Sequence, residues 1–381
     1  MKQIVCLSTS PWYPIPTRKQ QVMSRLPDSE ILYFDPPVSL LAPLKDPAAK
    51  AQLKAYKNPP VQPQPNITVY ALPPVLPFFN KYRFINRLNQ RRQARFIRRC
   101  CERHGFETPI LWCYSPTAAD TAPHLKKSAL IYDCVDRHSA YGGLMNPHVV
   151  DAMEMDLARQ ATQVFATTDS LTRRLRTASP GAVCIPNGAN YERFSQAAVP
   201  QPVPADIADI PDPIFGFVGA LQSCIAWDLV VSAAQARPQW QFVFIGSEKP
   251  GVDLQALKAL PNVHFPGMKP NEELPAYLCR FDVCLNLFAS GNLSKEVSPL
   301  KFYEYLATGK PIVSTPQPDQ VLEFRELIHI GGEPDSFLAA CEAALQDTDP
   351  VRQAARMEAG RACSWDARVA QICDVLQARG L

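Results

Sequence analysis

The alternation of strand-like and helix-like segments is the feature that most restricts how this chain can fold. In both halves, short β-rich apolar runs are separated by longer segments with helical periodicity. Strands separated by helices form parallel sheets with right-handed crossovers, so the pattern predicts two Rossmann-like α/β domains. The predicted strands are 3–9, 31–35, 67–72, 110–113, 129–133, 163–168 and 183–186, then 214–219, 241–246, 263–267, 283–288, 311–315 and 328–330.

A stretch rich in Pro and Asp, AAVPQPVPADIADIPDP at 197–213, separates the two alternating blocks. Its composition and lack of periodicity are typical of a linker. We therefore expect a first domain over 1–196, a linker over 197–213, and a second domain over 214–381 that ends in a helical tail. Ligands of parallel α/β sheets bind beyond the carboxyl ends of the strands, which favours a site in the cleft that the two sheets face.

The composition excludes several classes of protein. No apolar run approaches the ~18 to 20 residues of a membrane span, and the N-terminus is typical of a strand rather than a signal peptide. Neither half contains GxGxxG, so the fingerprint of a dinucleotide redox enzyme is missing. The 12 cysteines include no CxxC pair, which predicts reduced core thiols in a cytoplasmic protein, without disulfides or zinc. The triplet Asp347-Thr348-Asp349 has the form of a metal-binding DxD, but its turn-forming neighbours favour a structural role.

Charge is distributed unevenly along the chain. Residues 1–190 carry 24 Lys and Arg against 13 Asp and Glu, and residues 191–381 carry 15 against 23. Much of the excess lies in a predicted basic amphipathic helix over 80–103, which has aromatic residues at its start. This combination favours an anionic membrane surface over a merely solvated helix. Nucleic acid is not predicted, because no recognition motif accompanies the charge.

The stretch SKEVSPLKFYEYLATGKPIVSTP, residues 294–316, predicts a loop, a helix and a strand. Ser298 is a suitable N-cap and Pro299 suits the first helical position. Gly309 can end the helix before a short buried strand. Glu296 then lies in the loop before the helix, and Glu304 lies about two turns into it.

This arrangement suits a phosphate ligand flanked by hydroxyl groups. The helix N-terminus offers free N–H groups and a positive dipole end, and Lys301 adds a charge in the first turn. A carboxylate on each side matches a nucleotide sugar, which has hydroxyls at both ends of a diphosphate. An ordinary helix with a solvent-facing Glu304 explains the spacing at least as well.

The motif EVSPLKFYE resembles the E-x7-E motif of GT-B glycosyltransferases of the family 4, or group 1, type. CIPNGANYERF at 184–194 is similar to that family's Pro-Asn-Gly segment, and residues 262–288 are similar to the stretch before its donor loop. YFDPP at 33–37 and LIYDCVD at 130–136 resemble the branch that makes capsule, exopolysaccharide or teichuronic acid. The resemblance covers nearly the whole chain.

The resemblance implies a GT-B fold and a retaining transfer of a sugar from a UDP- or GDP-sugar, with no further cofactor. Because the sequence has no credible carboxylate cluster, we expect the transfer to be metal-independent. Glu296 would hold hydroxyls of the donor sugar, and Glu304 would hold the ribose. The remaining implied donor contacts are the backbone around Ser298, Pro299, Leu300 and Lys301 for the diphosphate, and Gly219, Gly267, Met268 and Lys269 around the nucleotide.

The sequence departs from the family in three places. The family's first-domain glycine loop near the acceptor is replaced by SPWYPIPTRKQQ. The family's Arg and Lys after the first strand of the second domain are missing from GALQSCIAWD, so Lys301 would do more, helped by Arg18 or Arg137. The family's cleft histidine is replaced by YDCVDRH. There Asp133 or Asp136, with His138 close by, would accept a donor hydroxyl or act as the base of an inverting reaction. For Asp133, a structural carboxylate is an equally open interpretation.

The leading hypothesis is a cytoplasmic glycosyltransferase, peripheral on the inner face of the membrane, that extends a lipid-linked or polysaccharide acceptor. One alternative is a nucleotide-sugar epimerase of similar fold. Another is a catalytically silent relative that serves as a binding partner in polysaccharide assembly.

Overall fold

The computed structural model describes residues 1–14, 16–44, 46–47, 49–140, 145–291 and 297–381. The chain forms two compact units. The first unit consists of Met1–Pro186 and Val369–Leu381, and the second of Asn187–Arg368. Each unit is built on one sheet, and every strand expected from the sequence is present.

The first unit contains an eight-stranded sheet of order β3-β4-β2-β1-β5-β6-β7-β8. Its strands are β1 (Lys2–Leu7), β2 (Ser29–Asp35), β3 (Val61–Gln64), β4 (Ile67–Ala71), β5 (Ile110–Cys113), β6 (Ala129–Cys134), β7 (Gln163–Ala166) and β8 (Val183–Cys184). Its helices are α1 (Arg18–Met23), α2 (Ala49–Gln52), α3 (Arg83–His104), α4 (Pro147–Gln160) and α5 (Asp169–Arg176). Helices between the strands bury the sheet, and central residues such as Val5 and Leu111 are almost fully buried.

The second unit contains a six-stranded parallel sheet of order β11-β10-β9-β12-β13-β14. Its strands are β9 (Ile214–Val218), β10 (Gln241–Ile245), β11 (Val263–Gly267), β12 (Val283–Asn286), β13 (Ile312–Ser314) and β14 (His329–Ile330). Its helices are α6 (Tyr191–Phe194), α7 (Trp227–Ala236), α8 (Gln255–Lys258), α9 (Leu274–Arg280), α10 (Leu300–Thr308), α11 (Pro334–Leu345) and α12 (Pro350–Ala362). The last helix, α13 (Trp365–Gln377), crosses the division between the units.

Strand β3 was not expected from the sequence. It pairs antiparallel with β4 at the edge of the first sheet, whereas the other described pairs of that sheet are parallel. Its sequence, VQPQ, contains Pro63, which has no N–H to donate and is tolerated at a sheet edge. A strand held by one neighbour needs little apolar patterning, so its sequence lacks a strand signal.

Residues 197–213, expected to be a linker, are fastened to the second unit. Ile207 is completely buried, and Tyr277 of α9 donates a hydrogen bond of 2.8 Å to Asp206. Arg280 donates another of 2.8 Å to the carbonyl of Ile210. Composition alone predicted a linker. It shows neither that Ile207 is buried nor that Asp206 has a hydrogen-bond partner in α9.

The end of the chain also differs from the expectation. The second domain was expected to continue to 381, but Val369–Leu381 group with the first unit. Lys2 Nζ donates to the Leu381 carbonyl at 2.9 Å, and Arg379 donates to the Gly181 carbonyl at 3.5 Å. The helical pattern of the tail was predicted correctly, but periodicity alone does not identify the sheet against which a helix packs.

Within the described part of the chain, no helix is both long enough and apolar enough to span a membrane.

Candidate functional site

The strand order of the second sheet reverses between β9 and β12. In open parallel sheets, ligands bind outside the carboxyl ends of the strands at such a reversal. Gly219 follows β9 directly, and the segment 287–299 leads from β12 into α10. The topology thus places Gly219 and the segment before α10, which were predicted from separate stretches of sequence, at the same edge of the sheet. Glu296 belongs to 292–296, which lie outside the described residues.

Backbone glycines line the carboxyl edge beside this reversal. Gly219 donates its N–H to the Ile245 carbonyl at 2.9 Å, and Gly246 donates to the Gly267 carbonyl at 3.0 Å. A Cβ atom on Gly246 would overlap the carbonyl oxygen of Gly219. Gly267 has φ +82°, in the left-handed region that favours glycine. The ends of β9, β10 and β11 therefore present close-packed backbone to a ligand.

Helix α10 spans Leu300–Thr308 and ends at Gly309 in the left-handed conformation, as predicted. Ser298, however, does not cap it. Its Oγ accepts the N–H of Asn187 at 3.0 Å, and its carbonyl accepts Asn187 Nδ2 at 3.1 Å. Both residues are buried. The Pro-Asn-Gly turn therefore serves to hold the start of α10, which sequence resemblance alone did not explain.

Gly188 completes this turn for a steric reason. A Cβ atom there would lie 2.8 Å from the Cys363 carbonyl oxygen and 3.0 Å from the Trp365 nitrogen. Arg368 Nε donates to the Asn187 carbonyl at 3.3 Å. The segment before and within α13 thus supports the turn that fixes the start of α10.

Lys301 and Glu304 lie on one side of α10. The Lys301 Nζ and Glu304 Oε2 atoms are 3.0 Å apart, and the side chains are 34% and 12% exposed. Glu304 Oε2 lacks a partner with hydrogen-bond geometry among the described residues, so the contact is an ion pair only. Lys301 Cγ would lie 3.8 Å from a Cβ atom at Gly219. The Lys301 side chain therefore passes beside Gly219, while its Nζ atom pairs with Glu304.

The residues predicted around the nucleotide base follow β11. Met268 is 70% exposed and offers apolar surface. Lys269 Nζ forms an ion pair of 2.6 Å with Asp206, and this contact raises the pKa of Lys269. Burial opposes ionisation of Asp206, but hydrogen bonds from Lys269 and Tyr277 lower its pKa. The charge of Lys269 is therefore already compensated.

In the first unit, Arg18 and Asp133 form a buried ion pair. Arg18 Nε lies 3.0 Å from both carboxylate oxygens, and the side chains are 1% and 0% exposed. Arg18 also donates to the Pro186 carbonyl at 3.0 Å. Either residue would have to leave this pair to act on a substrate. The pairing thus favours the structural interpretation of Asp133, while Arg18 Nη2 has no hydrogen-bond partner among the described residues.

Asp136, Arg137 and His138 follow β6 and are partly buried. Arg137 Nε donates to Ser139 Oγ at 3.3 Å. Burial lowers the pKa of His138, although Glu154 and Asp136 act in the opposite direction. Of the predicted first-unit residues, these three remain partly open to solvent.

Lys19 is a candidate that the sequence reasoning missed. The first sheet reverses between β1 and β5, and Lys19 lies in α1, the helix after β1. Its Nζ lies 5.8 Å from the ring centre of Tyr114, which directly follows β5. Burial lowers the pKa of Lys19, while Asp136 and Asp133 act to raise it. The sequence signal that could have identified Lys19 is its position in the helix after the first strand.

Comparison with known proteins agrees with these features. Residues 212–347 match the family model of the glycosyl transferases group 1. A protein of Bacillus subtilis (strain 168), provisionally named a teichuronic acid biosynthesis glycosyltransferase (TuaH), is 28% identical over 264 residues. That alignment covers 64% of this chain and 65% of the relative, so it spans just under two thirds of the relative's length.

Solved structures share the fold over almost the whole chain. Sucrose-phosphate synthase from Thermosynechococcus elongatus superposes with a TM-score of 0.72 at 15% identity, covering 99% of both chains. Anabaena HepE in complex with UDP gives a TM-score of 0.64 at 15% identity, covering 99% of this chain and 100% of that one. At such identities the likeness shows the fold alone. Residues 212–347 are thus similar to the group 1 glycosyltransferases, and the two parallel-sheet units have the GT-B fold.

Proposed function

We propose that this chain transfers a sugar from a nucleotide diphosphate donor to an acceptor hydroxyl, with retention of configuration. The observation that carries the proposal is the position of Lys301 and Glu304, at the point where the second sheet reverses and beside the glycine after β9. The family match and the UDP bound by the Anabaena HepE structure support a UDP-sugar, with a GDP-sugar as the other candidate.

Each side chain has a proposed role. Glu304 accepts the ribose hydroxyls, because its Oε2 atom already faces Lys301 without a hydrogen bond. Gly267 and Met268 border the base, and Glu296 accepts hydroxyls of the donor sugar. Asp136, with His138 close by, is the group of the first unit proposed to act in the transfer.

We propose that the diphosphate leaves without help from a divalent cation. Lys301 and the first N–H groups of α10 would neutralise its charge. The DxD triplet has other roles, since Asp347 pairs with His329, Arg352 and Arg356 and Asp349 caps α12. No step of the proposed donor mechanism therefore uses this triplet.

The surface of α3 supports an acceptor at an anionic membrane. The helix turns Arg91, Arg92, Arg95 and Arg98 to solvent, and Phe84 and Leu88 at its start are 62% and 53% exposed. Asn89 of the same helix binds the backbone of Leu76, which is 43% exposed, at 2.9 and 3.0 Å. The Val75 carbonyl in turn accepts the N–H of Leu40, another exposed leucine.

These contacts join exposed apolar side chains to a basic helix face in one unit. Apolar anchors beside arginines suit the boundary between headgroups and acyl chains. We therefore propose a lipid-linked acceptor and a peripheral position on the inner, cytoplasmic face of the membrane.

Ligand binding tests the donor assignment. The full chain is screened with UDP, GDP and their sugar conjugates by thermal shift, where a ligand at 100 times its Kd adds ~2.7 kcal/mol of apparent stability. Glu304→Gln should weaken binding of the free nucleotide diphosphate, and Glu296→Gln should leave that binding unchanged while it slows transfer. Glu326→Gln, at an exposed glutamate, is the control.

Three results would contradict the proposal in distinguishable ways. Equal effects of both active-site variants on the free nucleotide would refute the assigned roles. Turnover of a nucleotide sugar without an acceptor would indicate an epimerase. Donor binding without hydrolysis or transfer would indicate a catalytically silent binding partner.

Vesicle co-sedimentation tests the membrane assignment. Changing Arg91, Arg92, Arg95 and Arg98 to Gln should remove at most ~4 kcal/mol of attraction to anionic lipid. The attraction should also weaken with salt, because charges are screened over ~8 Å at physiological ionic strength. Changing Lys249, Lys258, Arg325 and Arg361 of the second unit gives the same change in charge and should leave pelleting intact. Equal pelleting of both variants would exclude α3 as the contact surface.

A further inference from the structure

Three side chains with different metal-binding atoms converge behind the carboxyl end of β6. Cys134 is the last residue of β6, His138 lies in the short 3-10 turn that follows, and Glu154 projects from α4. Their Sγ, imidazole nitrogen and carboxylate oxygen atoms all lie within 4.8 Å of one another. Cys134 Sγ is 3.3 Å from Glu154 Oε1, and His138 Nδ1 is 4.0 Å from the same oxygen.

These separations are close to those of a tetrahedral zinc site. With Zn–S near 2.3 Å and Zn–N and Zn–O near 2.0 to 2.2 Å, neighbouring ligand atoms lie about 3.4 to 3.6 Å apart. The separation of 3.3 Å between thiol and carboxylate is about 0.3 Å short of the S···O value. The separation of 4.0 Å between imidazole and carboxylate exceeds the N···O value by about 0.6 Å, and the short turn that carries His138 lies close in sequence to the strand that carries Cys134.

The carboxylate is also held by groups outside the three. Tyr132 donates its hydroxyl proton to Glu154 Oε1 at 2.5 Å, and Arg174 forms an ion pair with Oε2. Glu154 is fully buried, so these contacts fix its rotamer. Ligating carboxylates in metal sites are oriented by such outer hydrogen bonds. Tyr132 uses one lone pair of Oε1, and the Cys134 thiol donates to the same oxygen from the space between Cys134 and His138. Without the thiol proton, that second lone pair is available to a metal ion.

We propose that Cys134, His138 and Glu154 bind one Zn²⁺ ion, or a borderline divalent cation of similar preference, in the first unit. This combination of sulfur, nitrogen and oxygen ligands suits Zn²⁺ better than Mg²⁺ or Ca²⁺, which prefer oxygen alone. The inference concerns residues of the first unit only, and one of them, His138, is also the neighbour of Asp136 in the proposed sugar transfer.

Binding forms a Zn–S bond, and the Cys134 thiol proton leaves to solvent. His138 binds through neutral Nδ1, and Glu154 binds as the carboxylate. His138 is 17% exposed, whereas Glu154 is fully buried, so the ion enters from the histidine side. A water molecule would take the fourth position there. Occupancy would tie the turn that holds His138 to both β6 and α4.

Cobalt titration of the full chain, after treatment with chelator and desalting, tests the site. One Co²⁺ per chain should produce a thiolate-to-cobalt charge-transfer band, and stoichiometric Zn²⁺ should displace it. Cys134→Ser should abolish the band. Cys113→Ser is the matched control, since Cys113 is a fully buried cysteine on the neighbouring strand β5. It should keep the band.

Two further variants keep the proposal testable if Cys134→Ser does not fold. His138→Gln should lose tight binding, and Tyr132→Phe, which removes only an outer hydrogen bond, should weaken binding about 10- to 100-fold. Thermal unfolding without metal shows whether each variant is folded. A wild-type chain without the charge-transfer band, or a band equally strong in His138→Gln and wild type, would overturn the proposal.

Discussion

The buried pair of Arg18 and Asp133 allows a sharp test of whether the β6 carboxylate is structural or catalytic. We expect Asp133→Asn to destabilise the protein severely. The substitution keeps the shape of the side chain but leaves the Arg18 guanidinium charged and without its counter-ion at 1% exposure. The new amide oxygen and the Pro186 carbonyl, which is 3.0 Å from Arg18 Nη1, would remain as neutral acceptors.

The expected loss of unfolding free energy is about 3 to 5 kcal/mol, the usual cost of removing one partner of a buried ion pair. It corresponds to a change of roughly two to three and a half orders of magnitude in the unfolding equilibrium constant. Removing both charges is different, because neither desolvation cost remains. Arg18→Met combined with Asp133→Leu should recover most of the loss.

Urea unfolding of the full chain, followed by circular dichroism, measures these differences. Glu107→Gln is the control, because Glu107 is an exposed acid of the same unit and should change stability by less than about 0.5 kcal/mol. Sugar transfer and donor binding are measured in parallel at a temperature where all variants are folded.

One outcome would refute this reasoning. If Asp133→Asn loses less than ~1 kcal/mol of stability but nearly all transfer activity, the carboxylate is catalytic and the pair contributes little to the fold. Severe destabilisation with substantial activity in the folded fraction would confirm the structural role.

Three further predictions concern other parts of the chain. Burial raises the pKa of Asp35 to about 6, although a hydrogen bond from the Trp12 N–H acts to lower it. The protonated carboxyl therefore contributes stability that is fully present below about pH 4 and is lost as the pH rises through about 6. Asp35→Asn should therefore raise the unfolding free energy at pH 7 by on the order of 1 to 2 kcal/mol and change little at pH 4; an equal gain at both pH values would contradict this. Gly246→Ala should weaken nucleotide binding, since its Cβ atom would displace Gly219, while Ser247→Ala should not; calorimetry compares them. Transfer should persist in excess chelator, because Lys301 and the start of α10 neutralise the diphosphate, and complete loss restored by Mg²⁺ or Mn²⁺ would argue against this mechanism.

Local patterns in the sequence were sufficient to predict most of the fold. Strand positions followed from apolar runs, and α10 followed from residues 300–308 with Gly309 at its end. These features depend on backbone preferences and burial within a few neighbouring residues, which a short window of sequence records. The candidate donor site was predictable for the same reason, since Lys301 and Glu304 lie on one helix.

Contacts between distant segments were decided only by the tertiary structure. Ser298 was expected to cap α10, but the buried N–H of Asn187 uses its hydroxyl. The sequence predicted Arg18 and Asp133 as separate site residues. In the structure they form a buried ion pair in which each charge neutralises the other.

The proposed metal site shows the same limit most clearly. Cys134 and His138 are near in sequence, but Glu154 reaches them only because α4 packs beside β6. Sequence spacing contains no record of that packing. Local preferences therefore determined the elements of this protein, while burial and long-range pairing determined which side chains can act together.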